Sequence, residues 1–237
     1  MCKKYLLLVC LCLTTPALFS SAVNSDKHPL RNANPKNSSV LLELYNALSL
    51  DSLGLSRSAF NAAIVGYQNL RKAGVIVHEG ILSIVDFSLP SLKKRLFILD
   101  LENGKLLFNT LVAHGRNSGQ LIATKFSNRS RSFESSLGFY LTGETYTGQS
   151  GYSLRLLGIE RGINNNAYKR GIVVHGADYV SEETSVLIGR MGRSEGCPAI
   201  PQDIHREVIE TIKDGSCFFI YGKNKHYLTS SKLLKES

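Results

Sequence analysis

The sequence predicts a mainly β protein of the α+β class, with two helices ahead of the strands and one behind a glycine-rich turn. Three observations carry that expectation. Between Gly74 and Tyr221 the apolar residues fall in short runs broken by Gly, Asn and Pro, the pattern of strands joined by turns. Upstream, Leu41, Leu44, Tyr45 and Leu48, then Phe60, Ile64, Tyr67 and Leu70, recur at helical spacing. Downstream, Ile204, Val208, Ile209 and Ile212 do the same after a turn rich in Gly and Pro.

The N-terminus comes first in chain order. Lys3 and Lys4 precede an apolar run from Tyr5 to Phe19, broken by Pro16, and Ser20-Ser21-Ala22 supplies small residues for cleavage. Residues 1–22 therefore read as a secretory signal, too short for the roughly 20 apolar residues of a membrane span. An uncleaved anchor is the weaker alternative, and neither Cys10 nor Cys12 follows the small residues that lipid attachment needs. Without this segment the chain keeps 26 basic against 19 acidic residues, a charge of +7, and two cysteines, Cys197 and Cys217. The 43% hydrophobic and 20% charged composition marks a globular chain with a sizeable core. The cations are scattered and no nucleic-acid motif accompanies them, which argues against nucleic acid; an exported protein of this charge suits an acidic wall polymer.

Residues 23–39 are rich in Asn, Ser, Lys and Pro and read as a flexible lead-in. Residues 40–74 carry the two helices, the second capped by Ser56 or Ser58 and ending at Lys72-Ala73-Gly74, a lid or brace packed on the β-rich body. Ile81 to Phe87 and Arg95 to Leu101 are strand-like, and Glu102-Asn103-Gly104-Lys105 is a hairpin signal leading into Leu106 to Val112, which delivers His114-Gly115 at its end. Gly119 to Ser136 is a long polar loop of the kind that often binds ligands. Leu137 to Leu141 and Ser153 to Leu157 resume strand character around a glycine-rich turn region, Thr142 to Gly151. Cys217 to Tyr221 is a last apolar strand, and residues 223–237 form a polar tail with no assigned role.

The chemistry concentrates between Gly171 and Pro201. Gly171-Ile172-Val173-Val174-His175-Gly176 reads as a buried strand with a histidine at its open end, and Gly189 to Pro201 presents one thiol, Cys197, on a tightly held turn. An unperturbed thiol titrates at about 8.5 and only the thiolate attacks, so a nucleophilic cysteine needs a neighbouring base, and His175 is the candidate. Gly196 leaves room for a carbonyl to approach, N–H groups around Gly196 and Cys197 are candidate oxyanion donors, and the helix after the turn offers its positive end to a thiolate. Two competing readings remain: a Cys197–Cys217 disulfide, since exported cysteines often pair, and a zinc site from His114, His175 and Cys197, which lacks a close ligand pair.

His175-Gly176 followed by Ser194-Glu195-Gly196-Cys197 resembles the signature of the murein L,D-transpeptidase catalytic domain family. The likeness extends to Val112-Ala113-His114-Gly115-Arg116, Phe126-Ser127-Asn128, Ser135-Ser136-Leu137-Gly138 and Gly196-Cys197-Pro198-Ala199, and covers roughly Leu41 to Gly222. It implies a β-sandwich catalytic domain, two packed sheets around a pocket, spanning residues 40–222. It also implies a cysteine-dependent transferase without metal or cofactor: Cys197 as nucleophile, His175 as base, a backbone carbonyl or the Ser194 region orienting the imidazole, and peptidoglycan stem peptides as partners in the periplasm or cell wall. His114 and Arg170 are candidates for substrate contact, with Arg155 and Arg193 as further guanidiniums. The chain departs from the family at Ala199, where most members carry Arg, and at Glu195, where many have His. Hydrolysis by water at the same site, as in an L,D-carboxypeptidase, and a non-catalytic wall-binding module are the alternatives.

Overall fold

A computed structural model describes residues 38–235; the expected signal at 1–22 and nearly all of the lead-in lie outside the described residues. Two helices, α1 (Ser38–Ala47) and α2 (Arg57–Lys72), precede strands β1 (Ile81–Asp86), β2 (Leu96–Asp100), β3 (Lys105–Thr110), β4 (Gly138–Gly148), β5 (Gly151–Gly158) and β6 (Val173–Ala177). Then come α3 (Glu182–Ile188), β7 (Ala199–Pro201), α4 (His205–Ile212), β8 (Cys217–Tyr221) and α5 (Lys225–Ser230). The protein is mainly β, as expected. Among the described residues no helix is long and apolar enough to cross a membrane.

The eight strands form one sheet in the order β3-β2-β1-β8-β4-β5-β6-β7, parallel only at β1–β8 and β6–β7. The chain running on from β3 curls around to meet the far edge, where Ala113 and Ala199 bridge and the Ala113 N–H donates to the Ala199 carbonyl at 2.8 Å. The two expected layers are therefore opposite walls of one nearly closed sheet. Closure satisfies edge amides that would otherwise be left unpaired.

α2 covers one side of the sheet. Phe60, Ile64, Tyr67 and Leu70, the residues picked out by spacing, are all buried. Ser56 caps the helix by accepting from the Ala59 N–H, while its own N–H donates to Asp86 at the end of β1. Gly66 lets the helix settle on β4, since a Cβ there would lie 1.9 Å from the Phe139 ring, which itself stacks on Phe219 at 4.1 Å. The stretch after Gly222, polar in composition, folds back: α5 buries Tyr227, and the Asn69 amide donates to the Leu233 and Lys235 carbonyls at 2.9 Å. Buried Glu160 ties this segment to the sheet, accepting from the Phe139 N–H, the Tyr227 hydroxyl and the Ser231 hydroxyl.

Candidate active site

Cys197 sits in the turn that enters β7, and His175 on β6 lies in register with Ala199, two residues beyond it. Both line a cavity of about 850 Å³, together with Ser194, Arg170 and Tyr179. The thiol is half-buried and donates to the Gly171 carbonyl at 3.6 Å. Burial holds its pKa above the ordinary thiol value, against a Val173 N–H and the Arg170 charge, both of which favour thiolate. The His175 ring is 7% exposed, and its Nδ1 lies 2.9 Å from the Gly176 carbonyl. A carbonyl only accepts, so Nδ1 carries the proton and Nε2 is the basic nitrogen. Burial pushes the His175 pKa down, so the ring is neutral at neutral pH.

Among the described residues Ser194 forms no hydrogen bond with the imidazole. Its hydroxyl donates to the Cys197 carbonyl at 2.6 Å and accepts from the Gly196 N–H at 3.1 Å, folding the turn upon itself. The Gly196 N–H is thereby occupied, which leaves the Cys197 N–H, without an acceptor among the described residues, as the free donor of the pair. Gly196 has φ 126°, and a Cβ there would lie 2.8 Å from the Glu134 carbonyl, so both conformation and space demand glycine. The turn is stitched to the strand extension by the Ser194 N–H to the His114 carbonyl and the Arg116 N–H to the Ser194 carbonyl, at 3.0 and 2.7 Å.

His114, expected near the pocket, is 1% exposed and does not line the cavity. Its Nδ1 accepts from Arg95 at 2.8 Å, which places the proton on Nε2, 3.3 Å from the Gly119 carbonyl. Burial, seconded by the Arg95 charge, lowers its pKa to about 4. Both ring nitrogens are engaged, and among the described residues no group of three His, Cys, Asp or Glu is arranged to hold a metal ion. Arg95 itself is fully buried with no charged partner in contact; it donates to the Val112 and Leu89 carbonyls and lies 4.8 Å over Phe87. Burial lowers its pKa to about 9. No motif announced this residue.

Arg170 is likewise not free to grip a carboxylate. Its Nη1 donates to the Ser127 carbonyl and Ser136 hydroxyl, and its Nη2 to the Ser132 hydroxyl and Glu134 carbonyl, at 2.5 to 3.2 Å. It pins the long 127–136 loop against the turn that carries Gly196 and Cys197. Arg155 pairs with Glu144 at 2.9 Å, and Arg193 donates to the Arg116 and Gly119 carbonyls. Ala199 is fully buried at the sheet closure, beside Ala113, Ala177 and Met191, a setting with no room for a longer side chain. Glu195 is exposed and pairs with Arg116 at 3.3 Å. Cys197 and Cys217 are both free, Cys217 being buried in β8, and α4 starts beyond β7, where Ile204 at its N-terminus lines a different cavity from the one that holds Cys197.

A buried histidine with an available Nε2 and a thiol thus line one cavity. A family model for the L,D-transpeptidase catalytic domain matches residues 51–221. The chain belongs to that family. No curated protein sequence matches it. Solved structures to which the chain is similar include an L,D-transpeptidase from Mycobacterium smegmatis (14% identity, 60% of this chain and 59% of that one, TM-score 0.37). Others are the helical cell shape determining protein Pgp2 of Campylobacter jejuni (13%, 81% and 57%, 0.41) and the L,D-transpeptidase of Stackebrandtia nassauensis (13%, 78% and 77%, 0.37). The chain spans less than two thirds of the first two. Tyr179, which no sequence motif marks, is a further wall of the L,D-transpeptidase cavity: Gly192 packs on its Cβ, and burial holds its phenol protonated, with the pKa pushed up to about 12.

Proposed function

We propose that this L,D-transpeptidase domain works outside the cytoplasm on peptidoglycan, with Cys197 as nucleophile and His175 as base. The supporting observation is that His175, its proton fixed on Nδ1 by the Gly176 carbonyl, shares one cavity with the Cys197 thiol. The thiol leaves the Gly171 carbonyl and gives its proton to Nε2. The sulfur then attacks the carbonyl between the L-centre of a diamino acid and the terminal D-residue of a stem peptide. The tetrahedral oxyanion is met by the Cys197 N–H, and the imidazolium returns the proton to the departing D-amino acid. An amine from a second stem, deprotonated by His175, resolves the thioester and regenerates the thiol.

Cys197→Ala is expected to abolish covalent capture of a carbapenem, read as the mass of the intact protein; retained capture on that variant would overturn the assignment. Mass spectrometry of cell wall treated with the wild-type protein separates the acceptors. New links between two diamino acids mark transfer to an amine, shortened stems mark transfer to water, and unchanged wall with bound protein marks a non-catalytic module.

A further inference from the structure

Five cationic side chains line the cavity that holds Cys197 and His175, against a single acidic one, Glu195. Three of the five are already committed. Arg170 is bound up in the 127–136 loop, Arg116 pairs with Glu195 and lies 3.8 Å over Phe133, and Arg193 donates to two carbonyls. Arg131 and Lys169 are exposed and form no hydrogen bond or ion pair with any described residue.

Their placement is enforced. Arg131 and Phe133 both adopt left-handed backbone, with φ 58° and 56°, which costs a non-glycine residue about 1 kcal/mol or more and persists only where the surroundings impose it. Here the imposition comes from Arg170, and from Asn117, whose amide donates to the Ser132 carbonyl at 2.9 Å and whose backbone N–H donates to the Phe133 carbonyl at 3.1 Å. The strained loop keeps Arg131 at the wall, and Lys169 stands beside Arg170, the pin of that loop. A planar guanidinium and a mobile ammonium, both lacking protein counter-charges, suit a ligand that brings more than one carboxylate.

We propose that Arg131 and Lys169 form a carboxylate-selecting wall, so that the site takes stem peptides whose glutamyl and diamino-acid carboxyls are free and discriminates against stems in which they are amidated. The inference rests on the reading of this cavity as a stem-peptide site and adds which chemical form of stem it accepts. Amidation removes the charge while nearly preserving shape, so it isolates the electrostatic contribution.

The test is calorimetric binding to the Cys197→Ala protein, comparing one tetrapeptide stem with free carboxyls and the same stem amidated. The free form is expected to bind about tenfold more tightly at low salt, the scale of two partly screened charge-assisted contacts, and the ratio is expected to shrink as salt is raised. In the Arg131→Gln/Lys169→Gln double variant, checked for an unchanged melting temperature, the ratio should collapse towards one, whereas Lys169→Arg should keep it. Equal affinity for the two peptides, or a ratio that survives the double variant, overturns the proposal. So does inorganic phosphate that, at matched ionic strength, displaces both peptides equally. Failure of the free-carboxyl peptide to bind overturns it as well, while the carbapenem adduct on Cys197 still judges the parent reading separately.

Discussion

Cys197 keeps its proton at rest because its burial outweighs the Val173 N–H and the Arg170 charge, and His175 stays neutral for the same reason. Both side chains are thus held in their uncharged forms, and on the proposed mechanism the proton moves from Cys197 to His175 as substrate is attacked. Arg170 is the one nearby charge that lowers the thiol pKa. Arg170→Gln should therefore raise it and slow alkylation of Cys197 by iodoacetamide at pH 8 severalfold, while Arg170→Lys, which retains the charge, should lose less. Equal rates in wild type and Arg170→Gln would show that the guanidinium acts on the loop alone. At this scale the sequence was legible where a residue type is demanded by chemistry: one thiol on a Gly- and Pro-bounded turn, one histidine at a strand end. It was silent on Arg95 and Tyr179, whose places come from burial that no neighbouring residue encodes, it marked Arg131 only through its long polar loop, and it did not foresee that the polar atoms of His114 and Arg170 would be engaged by the protein itself.

At the level of elements, the Cys197 turn is held by the segments packed around it more than by its own residues. Gly115 packs directly on it: a Cβ there would lie 2.5 Å from the Phe133 carbonyl, 2.9 Å from Gly196 Cα and 3.0 Å from the Ser135 N–H. All three are backbone atoms, so none can swing aside. Gly115→Ala is expected to displace the turn and reduce carbapenem acylation at least tenfold, more than its fall in melting temperature would explain, because misplacement by about 1 Å costs on the order of 100-fold in rate. Normal acylation in Gly115→Ala would show that the turn tolerates the shift. The legible elements were those with complete local signals, such as α2 with its Ser56 cap, the β2–β3 hairpin at Asn103-Gly104 and the uniformly apolar β8. β4 runs on to Gly148 through a bulge between Thr142 and Thr145 and turns tightly into β5, a stretch that reads as a glycine-rich turn because Gly143, Gly148 and Gly151 interrupt any apolar pattern. β7 is three residues long and α3 has no buried residue, so neither leaves a hydrophobic pattern, and α5 is recognised only once Tyr227 has somewhere to bury.

Across the whole molecule, burial of histidine makes stability depend on pH. His114 titrates at about 4 in the folded protein and near 6.5 in the unfolded chain, so between these values the unfolded chain binds more protons. Stability therefore falls as pH drops from about 6.5 to 4, by about 3 kcal/mol on this account. His175, also depressed, works in the same direction, whereas Glu160, raised by burial, works in the opposite one. His114→Gln keeps an acceptor for Arg95 and removes the titration. Its urea-unfolding free energy should decline less steeply than that of the wild type between pH 7 and 4.5, and parallel slopes would refute the assignment. The mainly β class was readable from the short apolar runs, but not that one sheet would close on itself, since the Ala113–Ala199 bridge joins residues far apart in sequence through two of the least distinctive side chains.

That bridge has a consequence for how the protein fails. The Cys197 thiol lies next to the join where the wall comes round on itself, with short β7 paired on one side to β6 and this edge held on the other by isolated bridges, Ala113–Ala199 and Gly115–Ser194, and not by a paired strand. Mild warming or dilute denaturant should part this join first. Catalytic silence would then arrive while circular dichroism still records an almost intact body, making loss of acylation an earlier alarm than unfolding.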